Sequence, residues 1–198
     1  MAKVALHLSG DKDADALISK DPLALLVGMV LDQQIPLEKA FSSPAVLASR
    51  LGVDRLDAAA IAAMDPDALA EIFKERPALH RFPGSMAARV QEACRVVATE
   101  YGGKADDIWK KAADGKALIA RLRALPGFGE QKAKIFAALV GKQLGVQPTG
   151  WQAASAPFGK EGSFLSVADI TSPETLGKVR AYKQSMKAKA KAKAAAEA

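Results

Sequence analysis

Apolar residues crowd most densely between Leu23 and Leu31, where LALLVGMVL offers no polar face. Polar side chains return only at Asp32, Gln33 and Gln34. Such a run predicts a buried helix from about Leu23 to Gln33. Asp21 and Pro22 ahead of it supply a cap and a first-turn proline. Elsewhere the pattern is amphipathic. A short polar helix is expected from Asp11 to Ser19. LEKAFSSPAVLASRLG reads as a helix, a Ser-Ser-Pro break and a second helix ending at Gly52. Short helices follow over Asp54 to Ala62 and from Asp65-Pro66 through DALAEIFKE. After a loop, RPALHRFPGS, the positions Met86, Val90, Ala93, Cys94 and Val97 recur at helical spacing, and Gly102-Gly103 closes that helix. Two more helices lie in DDIWKKAADGKALIARLRALPG, and another spans Gln131 to Gly141. From Gly145 to Ile170 the chain is loop-rich. A last helix begins at Ser172-Pro-Glu-Thr, a capping-box pattern whose glutamate comes one residue early, and runs into the C-terminal tail. The pattern contains no βαβ alternation. It predicts an all-α fold of about ten helices.

Composition narrows the classes. The 198 residues suffice for one large domain or two small halves sharing a core. Alanine is abundant and aromatic residues are few, which favours helices. No apolar run approaches the ~20 residues of a membrane span. MAKVALHLSG lacks the long apolar core of a secretory signal, so a cytoplasmic protein without a membrane role is expected. Cys94 is the only cysteine, and His7 and His80 are the only histidines. That excludes a disulfide framework and a cysteine-ligated cluster, and it argues against a zinc site. No cofactor or metal is expected.

The net charge of +6 is uneven. Residues 183–198 hold five lysines and one glutamate, or +4, which leaves +2 for residues 1–182. The expected organisation is a helical body, 1–182, and a solvated Lys/Ala-rich tail, 183–198. Such a tail holds phosphate backbones loosely and in a salt-dependent way.

The chemistry concentrates in LPGFGEQKA, residues 125–133. Gly127 and Gly129 leave backbone amides unshielded around Phe128. Amides aimed together at a helix start form an anion nest, and Lys132 and Lys134 add positive charge. An ordinary helix–helix connection would use the same residues. The turn resembles the helix–hairpin–helix of the DNA glycosylase superfamily that includes endonuclease III, the adenine glycosylases and the alkyladenine glycosylases, whose motif reads LPGxGxxxA. Two further segments, in the family's order, strengthen the resemblance. PLALLVGMVLDQQI is similar to the family's apolar helix ending in a glutamine pair or Ser-x-Gln. RFPGSMAARVQEACRVV is similar to the Gly-Leu-Tyr-Asn-Ser-Lys-Ala stretch that begins a long helix. The resemblance covers about residues 21–150. It implies two helical subdomains around a DNA-binding cleft, a nucleotide flipped from the duplex, and double-stranded DNA with a lesion or mismatch as the partner of a monomer.

Roles carry over residue by residue. Gln34 falls where the family places a glutamine that fills the hole left by the flipped base, with Gln33 beside it; the bland alternative is helix capping. Phe82, next to Arg81, falls at the family's wedge position; the alternative is core packing. Trp151 is a candidate for stacking on the base, or a buried anchor. The resemblance fails at the catalytic centre. The family's aspartate would fall near Thr149-Gly150-Trp151, where no carboxylate stands. The lysine of bifunctional members would fall on Gln131, the glutamate of adenine glycosylases on Met29, and the iron–sulfur cysteines are missing. No lyase activity is therefore expected. A relocated acid is sought in Asp32 first, then Glu38, then Asp169. Two functions remain open: a monofunctional glycosylase, and a non-catalytic module that recognises DNA lesions.

Overall fold

The structure is a computed structural model and describes residues 5–196; of the tail lysines, the side chains of Lys183 and Lys189 are described. The first residues of MAKVALHLSG and the last two of the tail lie outside the described residues. Eleven α-helices and one 3-10 turn make up the described chain: α1 (Lys12–Lys20), α2 (Pro22–Leu31), α3 (Leu37–Leu51), α4 (Ala58–Ala63), α5 (Pro66–Lys74), α6 (Pro83–Glu100), α7 (Asp107–Lys110), α8 (Gly115–Arg123), α9 (Glu130–Gln143), α10 (Trp151–Ala154), a 3-10 turn (Val167–Asp169) and α11 (Pro173–Ala196). The fold is all-α.

The helices pack in two groups. Helices α1, α3 and α6 pack on α2, with α4 and α5 packed on α6, and α8 and α9 pack with α7, α10 and the 3-10 turn, on which α11 rests. One hydrophobic core runs through both groups. In α2, all residues after Pro22 are buried, which the unbroken apolar run requires. Its start is fixed by Asp21, whose Oδ1 accepts from the amides of Leu23 and Ala24. The same carboxylate's Oδ2 accepts from the Leu56 amide at 2.8 Å and so ties the α3–α4 loop to α2. The second group centres on Phe136, which meets Trp109 and Phe128 edge-on at 5.5 and 5.8 Å.

Several boundaries differ from expectation. The Ser-Ser-Pro break is absent, because α3 continues through Pro44. Ser42 and Ser43 turn their hydroxyls back onto the Lys39 carbonyl, which suits the disturbed turn before a proline, and Ser43 also donates to Leu79 at 2.8 Å. Burial of Phe41, Pro44, Leu47 and Ala48 holds the face together. Helix α2 stops at Leu31 rather than Gln33, with Asp32 as its C-cap. At the start of α11, Thr175 completes the reciprocal cap in place of Glu174: its amide donates to Ser172 Oγ, and the Ser172 amide donates to Thr175 Oγ1. Helix α11 runs on from the body into the tail and continues as helix to Ala196. Alanine and lysine are good helix formers, and a capped start supplies the nucleus.

Candidate nucleic-acid interface

The stretch 125–133 folds as the loop between α8 and α9 followed by the first turn of α9. Leu125 and Phe128 are buried and anchor it from beneath. The Phe128 amide donates to the Leu125 carbonyl at 3.1 Å, and Gly127 at φ +82° makes the reversal. Gly129 is the N-cap of α9 and has no side chain to cap with. The amides of Gly127, Gly129, Glu130, Gln131 and Lys132 have no hydrogen-bond acceptor among the described residues. Unpaired amides at a helix N-terminus attract an anion. Phe128, expected among the DNA-binding residues of this turn, has its side chain in the core and its amide already used within the turn.

Two other segments meet this loop. Beyond the Asp32 cap the chain folds tightly, with the Gln33 amide donating to the Leu31 carbonyl and Gln34 at φ +55°. A glutamine in left-handed backbone is uncommon and strained. It leaves the Gln34 side chain exposed, whereas Gln33 is locked. Gln33 Nε2 donates to the Val30 carbonyl at 2.6 Å, and its Oε1 accepts from Arg89 Nη1 at 2.8 Å. Arg89 lies in α6, and its stem crosses the hairpin: a Cβ added to Gly127 would sit 2.6 Å from Arg89 Cδ. Gly127 is thus required both by its φ and by this close approach.

His80 joins the third segment. Its Nε2 lies 2.8 Å from the Gln33 carbonyl, and its Nδ1 accepts from the Phe82 amide at 3.0 Å. Those partners define the neutral tautomer with the proton on Nε2. Burial, helped by the neighbouring charges of Arg81 and Lys132, holds the imidazole below its ordinary pKa. Phe82 is 43% exposed, with the Arg81 guanidinium 4.7 Å from its ring centroid. Phe82 is thus an exposed aromatic, held at both backbone and ring and lying outside the core.

Lys132 departs from expectation. Instead of facing solvent, it points inward and donates to the carbonyls of Met29 and Val30 at 2.8 and 3.2 Å. It caps the negative end of α2. Burial lowers its pKa from 10.5 to about 8; Asp32 nearby opposes the shift and Arg89 adds to it. One residue earlier, Gln131 is exposed, so Lys132 and not Gln131 is the side chain α9 turns toward α2. Lys134 is partly exposed and pairs with Glu130 at 2.7 Å.

The candidate acids separate. Glu38 is bound to Arg180 of α11. Asp169 is buried in an ion pair with Lys142 at 2.6 Å and accepts from the amides of Leu165 and Ser166. Both are committed to holding α11 and the 3-10 turn to the body. Asp32 is partly buried, accepts no hydrogen bond from the described residues, and stands where Lys132, Gln33 and Gln34 meet. Trp151, offered either as a base-stacking side chain or as a buried anchor, is buried against Gly141. It is 7% exposed, and a Cβ on Gly141 would sit 2.4 Å from its ring.

Arg89 and His80 carry the junction, and sequence reasoning passed over both. Arg89 occupies a polar position of an amphipathic helix, and His80 a loop. Nothing in their spacing distinguishes them from solvated residues.

An all-helical chain that brings a glutamine pair, an exposed loop aromatic and an open glycine hairpin together has the features of a DNA base-excision protein. The family model described as the HhH-GPD superfamily base excision DNA repair protein matches residues 27–197, and the chain belongs to that family. A comparison with curated proteins found no match. The chain is a base excision DNA repair protein, and its partner is DNA.

Proposed function

We propose that the protein is a monofunctional DNA N-glycosylase that flips a damaged or mismatched base and hydrolyses its glycosidic bond with Asp32 as the acid. The carrying observation is the position of Asp32 at the meeting of the three segments, while Glu38 and Asp169 are held in ion pairs. The open amides of Gly127 and of 129–132 grip a phosphate of the DNA backbone. Phe82 wedges into the stack, and Gln34, thrown outward by its left-handed backbone, fills the vacated space. Positive charge develops on the sugar as the bond breaks. The Asp32 carboxylate stabilises that charge and orients the attacking water. Lys132, held by two carbonyls, stays a structural cap, in keeping with hydrolysis rather than a lyase step. The body, 1–182, carries this chemistry, and the tail, 183–198, adds salt-sensitive affinity.

A second reading has its own support. The segment where related enzymes carry their aspartate is here closed by Trp151 against Gly141, with no carboxylate in it. That favours a protein that recognises lesions without cutting. A screen separates the two. Duplexes carrying uracil, hypoxanthine, alkylated purines, oxidised purines or mismatched adenine are incubated with the native protein and with Asp32→Asn, then heated in alkali to reveal abasic sites. Cleavage lost in Asp32→Asn supports the glycosylase. Cleavage retained in Asp32→Asn removes Asp32 from the role. Lesion-selective binding with no cleavage across the panel favours recognition. A borohydride-trapped adduct that disappears in Lys132→Met would contradict the monofunctional assignment.

A further inference from the structure

Five residues form a continuous line across the interface. Gly127 rests against the Arg89 stem, Arg89 Nη1 donates to Gln33 Oε1, the Gln33 carbonyl meets His80 Nε2, and His80 Nδ1 accepts from the Phe82 amide. The first three links join different pairs of elements, the hairpin to α6, α6 to the end of α2, and that end to the loop before α6; the fourth lies within that loop. Gln33 has little left to offer DNA. Its Oε1 is held by Arg89, its Nε2 by the Val30 carbonyl and its own carbonyl by His80. Its neighbour Gln34 is exposed in left-handed backbone immediately beside this lock.

We propose that Arg89 is the positioning residue that couples the hairpin's hold on the DNA backbone to lesion discrimination by Gln34 and Phe82. The inference rests on the DNA-repair reading of the site. Its physical basis is preorganisation. A strained Gln34 keeps its direction only while the preceding residue is fixed, and a charge-assisted hydrogen bond from Arg89 holds the Gln33 amide oxygen while the Val30 carbonyl holds its nitrogen. The same guanidinium stem fills the space above Gly127, so the hairpin and the glutamine pair share one support. Two other roles for Arg89 predict different results. A direct phosphate ligand would lower affinity for all duplexes alike and reduce the salt dependence. A brace of the fold alone would lower stability and leave recognition unchanged.

The test uses the full chain. Binding is measured by fluorescence anisotropy at several salt concentrations, with one duplex carrying a central tetrahydrofuran abasic analogue and one intact duplex of the same sequence. The analogue stands in for the product of any base removal, so the target base need not be known. Arg89→Met keeps the apolar stem on Gly127 and removes the guanidinium. It is expected to lose about tenfold of the preference for the abasic duplex, with the salt slope unchanged. Gln33→Ala, which removes the other end of the same bond, is expected to lose the same preference. The double variant is expected to be no worse than either single one. Arg89→Lys, with one donor able to reach Gln33, is expected to restore part of the loss. Thermal melts of each variant show that the fold is kept. Equal losses on both duplexes with a salt slope smaller by about one would make Arg89 a phosphate ligand and overturn the proposal. So would an unchanged preference in both Arg89→Met and Gln33→Ala. A native protein that binds the two duplexes equally would instead remove the lesion-reading function, and the inference with it.

Discussion

The buried ammonium of Lys132 should make stability depend on alkaline pH in a way that one substitution reveals. In the folded chain its pKa lies at about 8, against 10.5 when unfolded. Between those values the unfolded chain binds more protons than the folded one, so stability rises with pH through that window. Below pH 8 the full penalty for burying the charge applies. Above 10.5 it is gone. A drop from 10.5 to about 8 corresponds to ~3 kcal/mol. Lys132→Met removes the titrating group. It also removes the bonds to the Met29 and Val30 carbonyls, which lowers its baseline at every pH without affecting the slope. Urea denaturation followed by tryptophan fluorescence, with Trp109 and Trp151 as buried reporters, would be run on both proteins across this range. Contributions from every other group cancel in the difference. The native protein is expected to gain ~3 kcal/mol on the variant between about pH 8 and 10.5. Parallel stability curves would refute the buried, α2-capping placement of Lys132. Asp32→Asn should move the midpoint further down, because Asp32 supports the charged form.

Three other outcomes are expected. Asp21→Ala removes the cap of α2 and strands the buried Leu56 amide, so it should cost ~2–4 kcal/mol in chemical denaturation; a loss under ~1 kcal/mol would mean that the tether to Leu56 contributes nothing. The His80 pKa is lowered in the folded chain, so its stabilising effect is complete above the ordinary imidazole value and is lost as pH falls through the folded one; His80→Gln should flatten the fall in stability below the ordinary imidazole value, and an unchanged acid limb would argue against the neutral bridge. Replacing Lys183, Lys187, Lys189, Lys191 and Lys193 with glutamine should reduce the salt slope of DNA binding by up to ~4 and leave any preference for the abasic duplex intact. Loss of that preference would place recognition in the tail.

The fold class was legible because the helices are marked by strong local signals. The Asp-Pro pairs at 21–22 and 65–66, the all-apolar run of α2 and the glycine pair after α6 each settle a boundary by themselves. The α3 break was misread because Pro44 is tolerated by tertiary means: a buried face and serine hydroxyls bonded to a carbonyl, neither visible in linear sequence. At the site, the glycine hairpin and the glutamine pair were legible as motifs. The direction of a side chain around a helix was not. Lys132 and Gln131 differ by one position, about 100° of helical rotation, and only packing against α2 decides which faces inward. The partners of Glu38 and Asp169 come from α11 and α9, far away in the chain, so their commitment to ion pairs had no local signature. Trp151 was undecided for the same reason: its pocket is the bare face of Gly141, ten residues away in sequence and on another helix.

In the proposed mode of binding, three separate segments form one DNA-facing surface. Hydrogen–deuterium exchange of the full chain, with and without a duplex carrying a single tetrahydrofuran site, tests it most directly. Bound DNA is expected to slow exchange together at 32–34, 81–84 and 127–132, and to leave 148–155 unchanged. Protection confined to 183–196, with those three segments exchanging as in the free protein, would contradict the account.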